Sequence, residues 1–482
     1  MSRSIPVLFL SVAISACGDD APESFYLDGA VLPDADLLPD ADRGADATPD
    51  DAVVGQPDGA ADAATDATLS GSAHYVAVDG DDAAPGTELQ PFATIARAIE
   101  AATAGDAIFV RGGTYSLEET IVLYKSGSDG APFRLWAYPG ESPILDFSTH
   151  PRHANPPQPR DSDTIASVGD AFGIHAAGDF WHVRGLTVRF APYYGVRVYG
   201  SNNIFERLVL HDNKASGLEI TGKEGFEPSN NLVLNSDSFH NFDPQSGGED
   251  ADGFAAKFDS LGPGNVFRGT RAWSNSDDGY DFWHARNPIL VENCWAFDNG
   301  FNRPEWVVPG RGFEGDGLGF KLGQDASELQ LRRVVAFGNK AFGIDENGNR
   351  SARGVTILHA TLVNNAKDGN PVQLDLRDGQ PHTVVNSIAF DVDGAGVVQL
   401  DSSVQDQSNT WNGRGVSAAD FEHLDMARLF EEATSPRGPS GELPPLGLRL
   451  APTSRLIDAG RDTGATSFAG AAPDLGAFEQ MP

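Results

Sequence analysis

The chain is predicted to be all-β, wound into a parallel β-helix (a solenoid) and closed at its N-terminal end by one short capping helix. Two observations carry that prediction. A glycine followed by apolar residues one and three positions later recurs as YGVRV (Gly195), SGLEI (Gly217), DGFAA (Gly253), DGYDF (Gly279), DGLGF (Gly317) and FGIDE (Gly343), at intervals of 22, 36, 26, 38 and 26 residues. Coils of 22 to 26 residues, two of them lengthened by loop insertions, suit stacked solenoid turns, and the alternation puts one strand face inside and the other outside. An asparagine also keeps phase with the repeat. Asn213, Asn275, Asn339 and Asn365 each stand four residues before a glycine, and Asn241 and Asn299 stand ahead of the two insertions. Stacked asparagines at one turn of successive coils can satisfy the buried backbone groups above and below them.

The N-terminal residues 1–17, MSRSIPVLFLSVAISAC, combine Arg3 with an apolar run from Ile5 to Ile14. That run is too short to span a bilayer and suits an export signal. Its final ISAC resembles the bacterial lipobox, which implies lipidation of Cys17 and an extracytoplasmic protein held to a membrane only by that lipid. Residues 18–70 contain 14 acidic residues and one basic residue, Arg43. Such a stretch cannot bury enough apolar surface to fold and is expected to be a disordered acidic linker. The domain is expected to span 71–482. It opens with a strand from His74 to Val78, an Asp-rich loop and an amphipathic helix with Phe92, Ile95, Ile99 and Ala102 on one face. A helix placed there covers the open end of a solenoid. This segment resembles the N-terminal cap of bacterial right-handed β-helix proteins, and PDLGAFE (473–479) resembles their closing segment. With Cys17 in the export signal, Cys294 is alone, so no internal disulfide is expected.

The net charge of −35 excludes nucleic acid as a partner, because a phosphate backbone requires a basic face. It would also repel an anionic sugar unless a cation bridged the two. The acidic residues concentrate in EDADGFAAK, NSDDGYDFW and GDGLGFKLG. Counted from the landmark glycines, Asp252, Asp278 and Asp316 fall at one turn position. Asp281 and Lys321 fall on the outer face, roughly 8 Å apart along a diagonal. Gly319 would leave bare strand beside Lys321, open to a substrate. Lys257 occupies the same strand position two coils earlier and is expected to be structural. Asp252, Asp277, Asp278 and Asp281 converging in one place would repel unless neutralised. A hard cation such as calcium accepts such an oxygen set, and no His or Cys is in the cluster to favour a transition metal, His284 lying just beyond it.

In their order and spacing DADGFAAK, SDDGYD and GLGFKLG resemble the motifs of polysaccharide lyase family nine, the pectate lyases and related rhamnogalacturonan lyases. The resemblance covers most of 74–480 and is sharpest over 249–345. It implies a right-handed β-helix with Asp252, Asp277, Asp278 and Asp281 as calcium ligands and Lys321 as the catalytic base. The implied reaction is β-elimination on an acidic plant-type polysaccharide, giving a 4,5-unsaturated product. Trp283 and Arg311 are candidate substrate contacts, with Arg271, Arg303 and Trp306 as further candidates, while Trp295 is expected to pack locally. A monomer is expected. The alternatives are rhamnogalacturonan specificity, an inverting polygalacturonase and a surface β-helix that binds polysaccharide without cleaving it. The polygalacturonase lacks its downstream His-Gly and Arg-x-Lys partners here. The loop 300–315, inserted beside Lys321, leaves substrate preference open.

Overall fold

A computed structural model describes residues 71–480 apart from 155–170, 224, 325–327, 349–353, 367–370 and 393–396. Cys17 and the acidic stretch 18–70 lie outside the described residues. Within these limits the chain winds into three parallel sheets of twelve, ten and ten strands. In each sheet the neighbouring strands are mostly three apart in sequence order, so every turn of the helix places one strand in each sheet. Among the described residues no helix is long and apolar enough to cross a membrane.

The N-terminal cap forms as its periodicity dictates. The helix Ile95–Ala101 is capped by the Thr94 side chain, which accepts from the Arg97 N–H. Phe92, Ile95, Ile99 and Ala102 are all buried. They join the interior of the first coils through Val76, Ile108 and Leu123, so the helix closes the apolar end of the solenoid.

The interior is a stack of apolar side chains from the inward strand positions. Phe254, Tyr280 and Phe320 lie one above another with ring centroids 5.6 and 4.7 Å apart. At one turn the six anticipated asparagines form an unbroken ladder. Each Nδ2 donates to the Oδ1 of the next, from Asn213 through Asn241, Asn275, Asn299 and Asn339 to Asn365, over 2.8–3.0 Å. Gln373 ends it by accepting from Asn365 at 2.9 Å. A second, shorter ladder at another turn, Asn203, Asn231 and Asn265, was not anticipated.

Strand register differs from the expectation in one coil. Tyr280 pairs with Phe320, and Asp281 pairs directly with Lys321. The glycine equivalent to Gly279 is therefore Gly319, not Gly317, and the coil intervals run 22, 36, 26, 40 and 24. The environments of the glycines explain this. A Cβ on Gly253, Gly279 or Gly319 would strike a carbonyl of the next coil and the amide of a ladder asparagine (Asn275, Asn299 or Asn339). Gly317 instead has φ of +85° and packs on the Gly300 backbone, a conformation that a side chain would strain. Gly319 thus serves the ladder and not the substrate face. Lys257 pairs with Thr221, two residues along from the position that Lys321 occupies.

After the last coil the chain folds back along one flank. The helix Met426–Thr434 packs Leu429 and Ala433 against Phe297, Phe337 and their neighbours. Leu475 and Ala477 of PDLGAFE belong to the same cluster, with the Ala477 N–H donating to Thr361. That segment therefore closes the side of the solenoid. Arg271 and Arg437 both hold Asp237 at 2.6 Å, and Arg271 also donates to the carbonyls of Ala433 and Ser435.

Candidate active site

The ten-stranded sheet that contains Phe254–Lys257, Tyr280–Asp281 and Phe320–Lys321 carries the acidic cluster on its outer face and at the adjoining turn. Register pairing builds one outward column across these coils: Arg197, Glu219, Ala255, Asp281, Lys321, Asp345 and Asp375. Asp281 and Lys321 are immediate neighbours in it, closer than the diagonal anticipated from Gly317. At the turn before these strands, backbone amides meet side chains of the preceding coil. The Asp252 N–H donates to Ser216 Oγ, the Asp278 N–H to Asp252 Oδ1 and the Leu318 N–H to Asp278 Oδ1. The anticipated stack of Asp252 and Asp278 thus forms, but Leu318 takes the third place instead of Asp316.

Asp316 instead faces the lysine. Lys321 Nζ lies 3.2 Å from Asp316, 3.2 Å from Asp278 and 4.0 Å from Asp281. Asp316 is half exposed, whereas Asp278 is fully buried. Asp277 accepts the N–H groups of Asp250 and Asp316, which ties the cluster to both loop insertions. The contact of Asp316 with Lys321 was missed because the landmark was placed two residues too early. The five-residue spacing of Asp316 and Lys321, across a glycine-rich turn, was the available signal.

Five carboxylates and two ammonium groups therefore share one largely buried space. Burial pushes the Asp252 carboxyl up to about 6. Burial, reinforced by neighbouring carboxylates, holds Asp277 and Asp278 well above the usual range. Asp281 goes the other way: burial opposes its charge, but Lys257 and Lys321 outweigh burial and lower it. Burial would likewise discharge the two lysines, yet the carboxylates around them hold both well above the usual ammonium value.

This donor set fits a hard cation. Asp252, Asp278 and Asp281 each offer an oxygen within 4.8 Å of the others, as do Asp277, Asp278 and Asp316. Asp278 Oδ2 is buried and receives no hydrogen bond among the described residues, its charge being met by Lys321. All the offered atoms are carboxylate oxygens, the chemistry that calcium prefers.

The remaining candidates divide sharply. Trp283 is half-buried and donates its backbone N–H to Asp281, with its ring edge-on to Phe258. Arg311 is exposed on the inserted loop, alongside Gly247. Both remain able to meet a ligand. Arg271 is 3% exposed and committed to Asp237, so it faces no substrate. Arg303 is bound to Asp298 and lies against Trp306. Trp306 is buried in a stack with Phe242 and Phe313, where a sugar ring has no access. Trp295 is buried beside Phe478, packing locally as anticipated.

Comparison with known proteins gives a consistent result. The family described as "Pel9A-like, right handed beta helix region" matches residues 74–373. Pectate lyase L of Dickeya dadantii (strain 3937) is 37% identical over 437 residues, covering 87% of this chain and 94% of that protein. Pectate lyase PEL9 of Emericella nidulans is 34% identical over 412 residues, covering 80% and 94%. A crystal structure of pectate lyase Pel9A superposes with a TM-score of 0.73 at 36% identity, over 85% of this chain and 96% of that one. A structure described as a rhamnogalacturonan lyase gives 0.64 at 25% identity, over 79% and 97%.

Proposed function

The chain belongs to the Pel9A-like right-handed β-helix family and is a pectate lyase, a polysaccharide lyase, and from that premise we propose that Lys321 is its catalytic base and that Asp252, Asp277, Asp278 and Asp281 hold a calcium ion. The observation that carries this reading is the direct register of Asp281 with Lys321, which puts a cation-seeking carboxylate and an amine side by side on the same outer face. Held by these four aspartates, a calcium ion would offset the repulsion between the acidic chain and a uronate carboxylate and would make the C5 proton beside that carboxylate more acidic.

The residues of the chain do the rest. The amine of Lys321 takes the C5 proton. The electron pair left at C5 forms the C4–C5 double bond as the C4–O glycosidic bond breaks; the pair of that bond leaves on the glycosidic oxygen, which takes a proton from solvent to become a hydroxyl, and the other product is the 4,5-unsaturated sugar. Lys321 must be uncharged at that moment. Asp278, Asp281 and Asp316 favour its ammonium form, so the carboxylates must first be neutralised or the pH raised. Trp283 follows Asp281 by two residues and would meet a sugar face, and Arg311, exposed on the inserted loop, would meet a neighbouring uronate.

Incubation with polygalacturonate, with calcium and then with a chelator, while following ultraviolet absorbance of the unsaturated product, tests the reading. A calcium-dependent rise is expected. A rise on rhamnogalacturonan alone would move the substrate to that polymer, and no rise on either would overturn the activity. We further infer that the protein is an extracytoplasmic monomer anchored through Cys17. Replacing Cys17 with Ser is expected to release it from the membrane fraction.

A further inference from the structure

The Lys257 ammonium lies between two of the carboxylates assigned to calcium, 2.8 Å from Asp252 Oδ2 and 2.6 Å from Asp281 Oδ2. Its side chain is 9% exposed and those of its partners are 0% and 4% exposed. Asp252 sits at the turn of one coil and Asp281 on the strand of the next, so this one cation joins two coils across the cluster. The geometry points to Lys257 as a built-in cation that shares Asp252 and Asp281 with the metal: it holds them in place when the site is metal-free and limits how tightly calcium binds. The inference rests on the reading of the aspartates as a calcium site.

Metal-free, Asp252, Asp277, Asp278 and Asp281 crowd together, and such a group repels itself without a cation. Lys257 meets that need for two of them. Any cation that enters draws on Asp252 and Asp281 against the pull of Lys257, and it does so beside a positive charge. Removing that charge favours the incoming ion and removes what held the empty site. Lys257 is thus a positioning residue, distinct from Lys321, whose contacts are Asp278, Asp281 and Asp316.

The test compares the full chain with Lys257→Met, which is uncharged and similar in length, and with Lys257→Arg, which keeps the charge. Lys257→Gln, which can still donate to both carboxylates, replaces the methionine variant if that fails to fold. Calcium affinity is measured by calorimetry after chelation, and melting temperature with chelator and with saturating calcium. The uncharged variant is expected to bind calcium roughly tenfold more tightly, the scale of removing one like charge beside the ion. It should melt lower than wild type in chelator and recover most of the difference in calcium. The arginine variant should stay near wild type in both. Weaker or unchanged affinity in the uncharged variant, or an equal loss of melting temperature with and without calcium, would overturn the inference and leave Lys257 a structural ion pair. Failure of the wild-type chain to bind calcium would overturn the calcium reading itself.

Discussion

The asparagine ladder and the acidic column run through the same coils, yet they handle buried polarity in opposite ways. In the ladder the same neutral residue recurs and each copy satisfies the next, from Asn213 to a terminal Gln373. No outside partner is needed. In the column the group changes from each coil to the next: Glu219, then Ala255, Asp281, Lys321 and Asp345. At the adjoining turn two successive coils place Asp252 and Asp278 together, and burial pushes both carboxyls upward. One region is complete in itself. The other gathers buried carboxylates around two ammonium groups, and that concentration of charge is what the proposed calcium site draws on.

Substitutions that remove a single polar group should separate the two regions. Asp278→Asn in the cluster is expected to reduce turnover by about a thousandfold at millimolar calcium, because it removes a buried carboxylate common to both potential ligand groups. Kinetics at several calcium concentrations would check this. In chelator the same variant should not be less stable than wild type, and above pH 7 it should melt higher. A carboxyl whose folded value is raised penalises the fold increasingly as pH climbs past its unfolded value of about 3.9. Stability gained with activity lost is the signature of a site.

The pH dependence of turnover is the next largest effect. In the proposed mechanism Lys321 acts as a free amine, so the rate should fall roughly tenfold per pH unit on the acid side, with an optimum above pH 7. An optimum below pH 6 in a rate profile at saturating calcium would rule out Lys321 as the base. In the ladder, Asn275→Ala should cost about 2–3 kcal/mol, since it strands the Asn241 donor and removes a donor to Asn299 without relief from any ion. Denaturant unfolding would measure it, with no difference expected between calcium and chelator. The effect confined to the narrowest conditions, acid pH, belongs to the flank. Burial opposes the Asp237 charge, but Arg271 and Arg437 overcome it and bring the carboxyl down to about 2. Its contribution is therefore present above pH ~3.9 and lost as pH falls through about 2. Asp237→Asn should flatten the stability profile in that window.

The same contrast explains what could be read beforehand. The ladder and the capping helix were legible because both are periodic: one asparagine in phase with each coil, and apolar residues three and four apart at Phe92, Ile95 and Ile99. The four aspartates and Lys321 were legible as a group because neighbouring coils place them together. Their register was harder. GDGLGF offers two glycines two residues apart, and only the packing of Gly319 on Asn339, against the left-handed turn at Gly317, distinguishes them. The consequences were a misplaced Asp316 and a Lys257 assigned to the wrong column. Arg271 and Trp306 misled for another reason. Their partners Asp237, Ala433, Phe242 and Phe313 are distant in sequence or lie in an insertion, so composition alone could not show that both were already occupied.

The most direct test of the account is Lys321→Ala, examined for calcium binding by calorimetry and for unsaturated product from polygalacturonate by ultraviolet absorbance. The account predicts that the variant folds, binds calcium at least as tightly as wild type once the neighbouring ammonium is gone, and releases no product above background. Product formation at a rate within tenfold of wild type would contradict it and place the base elsewhere.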